Sequence, residues 1–107
     1  MRPAAPPRAF VAVLIIDLHF PESGSLKGKR KELSSLKAQL HGRLGAAVAE
    51  VAHQDTWQRA TLTAALTGGS LGTLEAAADR VERWLGERFP QGVSVERTVV
   101  SLQDLVG

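Results

Sequence analysis

The stretch 10–20, FVAVLIIDLHF, constrains this chain most, because it is apolar on both of its alternating faces. Phe10, Ala12, Leu14, Ile16 and Leu18 share one face of an extended strand. Val11, Val13 and Ile15 share the other, before Asp17 and His19 turn it polar. The run is rich in β-branched residues, too short for a core helix, and shorter than the ~20 apolar residues a membrane span needs. A strand apolar on both sides belongs in the middle of a sheet. Pro21, Ser23 and Gly24 end it.

The rest of the chain supplies layers for that strand. Residues 25–44 read as a helix, with Leu26, Leu33, Leu36, Leu40 and Leu44 on one stripe, Ser25 as N-cap, and Gly42 or Gly45 as terminator. Residues 46–53 read as a short second strand, followed by a turn at Gln54, Asp55 and Thr56. Residues 57–67 alternate cleanly: Ala60, Leu62, Ala64 and Leu66 point one way, and Trp57, Arg59, Thr61, Thr63 and Thr67 the other. Residues 74–89 read as a second helix, capped by Thr73 or Ser70 and stopped by Pro90 and Gly92. Residues 93–102 read as a fourth strand.

This order, β-α-β-β-α-β, predicts an α+β fold of the ferredoxin-like kind, a four-stranded antiparallel sheet with two helices on one face. Residues 1–7 form a Pro/Ala tail expected to be disordered, and 8–107 a single domain. The topology would bring the exit of the first strand, the start of the first helix and the turn between strands two and three to one end of the sheet. His19, residues 25–30 and residues 53–58 should then be neighbours.

Composition removes several kinds of chemistry. Among 107 residues there is no cysteine, so disulfides, thiolate metal sites and cysteine nucleophiles are excluded. Nothing resembles a signal peptide, and a cytoplasmic protein with no membrane partner is expected. The net charge is only +2, too little to imply nucleic-acid binding by itself. Its distribution says more, because Lys27, Lys29, Arg30, Lys31 and Lys37 crowd into one helical stretch.

Lys27, Lys29 and Arg30 lie in the first turn or so of the first helix, where each cation opposes the macrodipole by about 0.3–1 kcal/mol. Free N–H groups with Lys and Arg beside them make an anion site suited to phosphate. The bland alternative is a solvated charged face balanced by Glu32 and Glu50. Gly28 stands at N3, where Glu would complete a capping box. His19, His53 and Asp55 could converge as metal ligands, but their spacing is loose and the cations oppose it, so no metal or cofactor is expected. Asp55 can shape the turn, and Trp57 reads as a packed anchor at a strand start.

Three templates fail on residues. The segment 24–30, GSLKGKR, has three residues between its glycines where a P-loop has four, and Arg30 replaces the magnesium-binding hydroxyl. Acylphosphatase-like chemistry suits the loop after the first strand but needs an Asn, and the chain has none, so Gln54 or Gln58 would have to substitute. RNA-recognition-motif binding needs stacked aromatics on the central strands, and the open-face positions here are Val11, Val13, Ile15, Arg59, Thr61 and Thr63. That apolar strip suggests a covered surface, and a homodimer through the open sheet face is the simplest cover.

The segments 25–30 (SLKGKR) and 49–60 (AEVAHQDTWQRA), with Leu33 and Leu36 between them, resemble the YlxP-like family of small bacterial proteins of unassigned function. The resemblance spans roughly residues 10–102, and Gly28 departs from the Glu usual in the family. It implies the ferredoxin-like fold and a bacterial cytoplasmic setting. It also implies an association with transcription and translation, since the family's genes commonly lie among such genes, and it carries over no catalytic residue.

Together these readings predict a small cytoplasmic RNA- or ribosome-associated factor that is not an enzyme. It would grip phosphate backbone through Ser25, Lys27, Lys29, Arg30, His53, Gln54 and Gln58. Glu50, Asp55 and Trp57 would stand behind them, with Glu50 fixing Arg30 or Lys27. The rival functions are a phosphoryl or acyl hydrolase using His53 or Asp55, and a non-catalytic protein-binding or dimerisation module.

Overall fold

The computed structural model describes residues 7–21, 24–90 and 92–106. The tail expected over 1–7 lies outside them except for Pro7, as does Ser23 of the strand-ending turn. The elements run β1 (Phe10–His19), α1 (Leu26–Leu44), β2 (Ala47–Ala52), β3 (Arg59–Gly68), α2 (Leu71–Arg88), β4 (Val93–Ser101) and α3 (Leu102–Val106). The strands form one sheet in the order β2-β3-β1-β4. Every neighbouring pair is antiparallel, so the fold is α+β with a four-stranded antiparallel sheet.

The doubly apolar strand is central, as its pattern requires. β1 pairs β3 from Phe10↔Gly68 to His19↔Arg59, and β4 from Phe10↔Ser101 to Leu18↔Val93. One face of the sheet is covered along its central strands: Ala12, Leu14, Ile16 and Leu18 of β1 and Ala60, Leu62 and Ala64 of β3 are buried. Leu33, Leu36 and Leu40 of α1 and Leu74, Ala78, Val81 and Leu85 of α2 share the same core, so both helices lie on that face. Burying each such Leu, Ile or Val contributes about 1.5–3 kcal/mol. At one end of the core the rings of Phe20 and Phe89 meet edge to face, 5.7 Å apart.

The helix ends follow local chemistry. Ser25 caps α1 by accepting from the Gly28 N–H at 3.0 Å. Of the two candidate terminators, Gly45 is the one used. It takes the left-handed conformation (φ 70°), its N–H returns to the His41 carbonyl, and the Ala46 N–H reaches Leu40. His41 sits in the last turn, with Nδ1 3.2 Å from the Ala46 carbonyl. α2 begins a turn earlier than its apolar stripe suggests, because Ser70 accepts from the Thr73 N–H and draws Leu71–Thr73 into the helix.

The end of the fourth strand differs from expectation. The fourth strand stops at Ser101 and the chain turns into α3. Ser101 Oγ accepts from the Asp104 N–H while Asp104 Oδ2 accepts from the Ser101 N–H, a capping box spelled by Ser101-Leu102-Gln103-Asp104. Arg97 of β4 faces α2, donating from Nε to Glu82 at 2.7 Å and from a terminal nitrogen to Asp79 at 2.7 Å. The hydrogen bond that Arg97 donates to Asp79 is the largest influence pushing its pKa further up, so the guanidinium stays charged and fastens an edge strand to a helix. Among the described residues no helix is long and apolar enough to cross a membrane.

Candidate nucleic-acid interface

Lys29 decides the geometry of the basic end. Its side chain is fully buried, and its ammonium donates to the His53 carbonyl at 2.5 Å and to the Thr56 carbonyl at 2.7 Å. It also lies 3.2 Å from Glu50 Oε2, an ion-pair contact without hydrogen-bond geometry. The Thr56 N–H closes back onto the His53 carbonyl at 3.1 Å, so residues 53–56 form a turn whose two ends are both held by one ammonium. His53 adopts a left-handed backbone (φ 63°), which costs a non-glycine residue about 1–2 kcal/mol. The Lys29 contact helps offset that strain.

The start of α1 and the β2–β3 turn are therefore joined, as the sequence predicts, but the joining residue was expected to bind phosphate. Lys29 is withdrawn from that surface because its three ammonium protons face two carbonyls and a carboxylate. Glu50 consequently meets Lys29, where Arg30 or Lys27 was expected. The register explains this: Glu50 lies opposite Leu62 on the helix-covered face of the sheet, directly beneath the inward side of α1.

The remaining site residues stay at the surface. Ser25, Lys27, Arg30, Gln54, Asp55 and Gln58 are exposed, and His53 is half-buried. The first turn of α1 carries no acidic residue, so its dipole and its cations act with the same sign. Trp57 corrects its expectation. It is no packed anchor but sits in a turn ahead of β3, 50% exposed. The turn persists because Thr56 is held by Lys29 and the Gln58 carbonyl accepts from the Phe20 N–H at 2.9 Å.

His19 joins the same end, opposite Arg59 on the open face of the sheet. A groove of about 400 Å³ opens there, lined by Asp17, His19, Arg59, Gly92, Val93 and Ser94. Asp17 is oriented by the Thr61 hydroxyl, which donates to it at 2.7 Å. A Cβ on Gly92 would stand 2.7 Å from the His19 Cβ, so only glycine fits against that side chain. Sequence reasoning missed Asp17 and Arg59. The only signal was that both share a strand face with His19 or Thr61. His19, His53 and Asp55 do not gather: among the described residues no three of His, Asp and Glu converge as a metal set.

The geometry defines a class before a family: an antiparallel sheet covered by two helices on one face, with a cationic helix start welded to an interstrand turn. The chain belongs to the family described as protein of unknown function (DUF503), whose model matches residues 11–98. It is 31% identical over 78 residues to the uncharacterized protein YlxP of Bacillus subtilis (strain 168), covering 73% of this chain and 80% of that one. The YlxP-like resemblance read from residues 25–30 and 49–60 is thus correct. Among solved structures, the de novo designed protein Foldit4 superposes with a TM-score of 0.52 at 15% identity, over 84% of this chain and 96% of its own. That likeness concerns the fold alone.

Proposed function

We propose that this protein is a small, non-enzymatic, cytoplasmic RNA- or ribosome-associated factor on a fold of the ferredoxin-like type. One observation carries the reading: the Lys29 ammonium locks the 53–56 turn onto the start of α1. Exposed Lys27 and Arg30 and exposed Gln54 and Gln58 consequently belong to one rigid corner. A buried cation that holds this turn against the helix start fixes the backbone carrying the exposed cations and amides, which lowers the ordering cost of binding a phosphate chain. Ser25, the cap residue, and half-buried His53 border the same corner, and Glu50 supports it through its ion pair with Lys29.

Filter binding with a structured RNA across several salt concentrations tests this. Lys27→Ala and Arg30→Ala should each weaken binding and flatten the dependence on salt, because each removes a phosphate contact. Superimposable curves for both variants and the wild type would end the proposal.

The open sheet face favours an additional partner. Ile15 is 40% exposed there, flanked by half-buried Val11 and Val13 and by the small residues Thr63 and Ala65. A second copy of this chain stacked on that face would cover the strip.

A further inference from the structure

We infer that Trp57 is a stacking platform for an unpaired RNA base, so that the corner takes single-stranded or looped RNA in preference to continuous duplex; this rests on the RNA reading above. Among the large apolar side chains left exposed in the described residues, Trp57 is the one aromatic. An indole half in water forgoes a large part of the burial that makes aromatics valuable in cores. Its exposure is not the consequence of a loose loop. The backbone is pinned immediately before it, where the Thr56 carbonyl is held by Lys29, and immediately after it, where the Gln58 carbonyl is held by the Phe20 N–H.

The surroundings select the ligand. Lys29, the residue that pins Thr56, is flanked on α1 by exposed Arg30 and, two positions earlier, by exposed Lys27. Arg59, two residues past Trp57, is exposed and pairs with His19. An exposed indole on a held backbone, with Lys27 and Arg30 on the helix that pins its turn and Arg59 two residues on, matches a chain that alternates flat bases with phosphates. A duplex buries its base faces in the helical stack and offers such a ring nothing but an end. An unpaired strand offers a face at every nucleotide, and a side chain whose backbone is already held gives up less freedom on stacking than one on a loose loop.

The test compares a short unstructured oligoadenylate with a blunt RNA duplex of equal phosphate count. Binding is followed by anisotropy of labelled RNA and by tryptophan emission. The expected result is tighter binding of the oligoadenylate and quenching of emission in the wild type that Trp57→Ala abolishes. Trp57→Ala should also weaken affinity about tenfold, with most of it kept by Trp57→Phe. Equal affinity for duplex and single strand, or oligoadenylate curves untouched by Trp57→Ala, overturns the inference. If Lys27→Ala and Arg30→Ala still weaken binding in that case, the RNA reading survives without it. If no variant matters, both fall.

Discussion

The Lys29 ammonium lies 3.2 Å from the Glu50 carboxylate and carries hydrogen bonds to two turn carbonyls, so a helix residue closes a loop whose nearest residue is 24 positions away. The pair is asymmetric. The Lys29 side chain has no exposure and that of Glu50 keeps 19%.

Removal of Lys29 should therefore cost more than removal of the Glu50 charge. Lys29→Met takes the ammonium from the Thr56 carbonyl, leaves the His53 carbonyl only the Thr56 N–H, and strips the Glu50 carboxylate of its counter-charge, and should lower unfolding free energy by about 2–4 kcal/mol. Glu50→Gln keeps the carbonyl contacts and should cost about 1 kcal/mol, part of it screened by solvent. Urea unfolding of the two single variants and the double variant measures both costs and their coupling. Equal effects would mean the turn carbonyls contribute nothing.

Gly92 should resist substitution because of His19 alone. Gly92→Ala places a methyl group 2.7 Å from the His19 Cβ and should destabilise by about 1–3 kcal/mol, the range for forced overpacking. His19→Gly removes the obstructing atom and should restore most of that loss in the double variant. Thermal melts of the four proteins decide it. Failure of rescue would show that Gly92 is needed for its backbone and not for space.

Arg97 fastens β4 to α2 through Glu82 and Asp79, with its side chain 25% exposed and that of Asp79 63% exposed. Arg97→Met should cost about 1 kcal/mol, and molar salt should narrow the gap to wild type. Because the folded-state pKa is raised, the contribution is fully present below the ordinary guanidinium range and fades only as pH climbs through the higher folded value. Arg97 ionisation therefore gives stability no pH dependence near neutrality, which melts at pH 6 and pH 9 would check as an unchanged difference between variant and wild type.

The open face has its own readout. Ile15→Lys introduces a charge where a second copy would seat, while a solvent-facing strand position tolerates Lys within about 0.5 kcal/mol. Sedimentation equilibrium should give a dimer mass for the wild type and a monomer mass for the variant, with unchanged circular dichroism. A wild-type monomer at high concentration would remove the homodimer from consideration.

Local rules made most of the architecture legible. The double apolar face of residues 10–18 placed that strand at the centre, the leucine spacing and Ser25 set α1, and the alternation of 60–66 set the inward face of β3. Each depends on periodicity and capping, which are written residue by residue. The short α3 was missed although its capping box is equally local, because the valine run before it looked like continuing strand.

The site divides differently. Sequence placed residues 25–30 and 53–58 at one end of a sheet, since topology alone brings those ends together. It could not say which of Lys27, Lys29 and Arg30 turns inward, because helical phase relative to the sheet is fixed only when the leucines dock. Docking put Lys29 on the same side as Leu33, Leu36 and Leu40 and above Glu50, turning an expected ligand into a brace. Nor could it expose Trp57, whose place outside β3 depends on two backbone contacts from distant segments. The elements and their order were encoded locally, whereas the division between buried and presented side chains followed from tertiary packing, which alone sets where a helix face and a loop carbonyl meet.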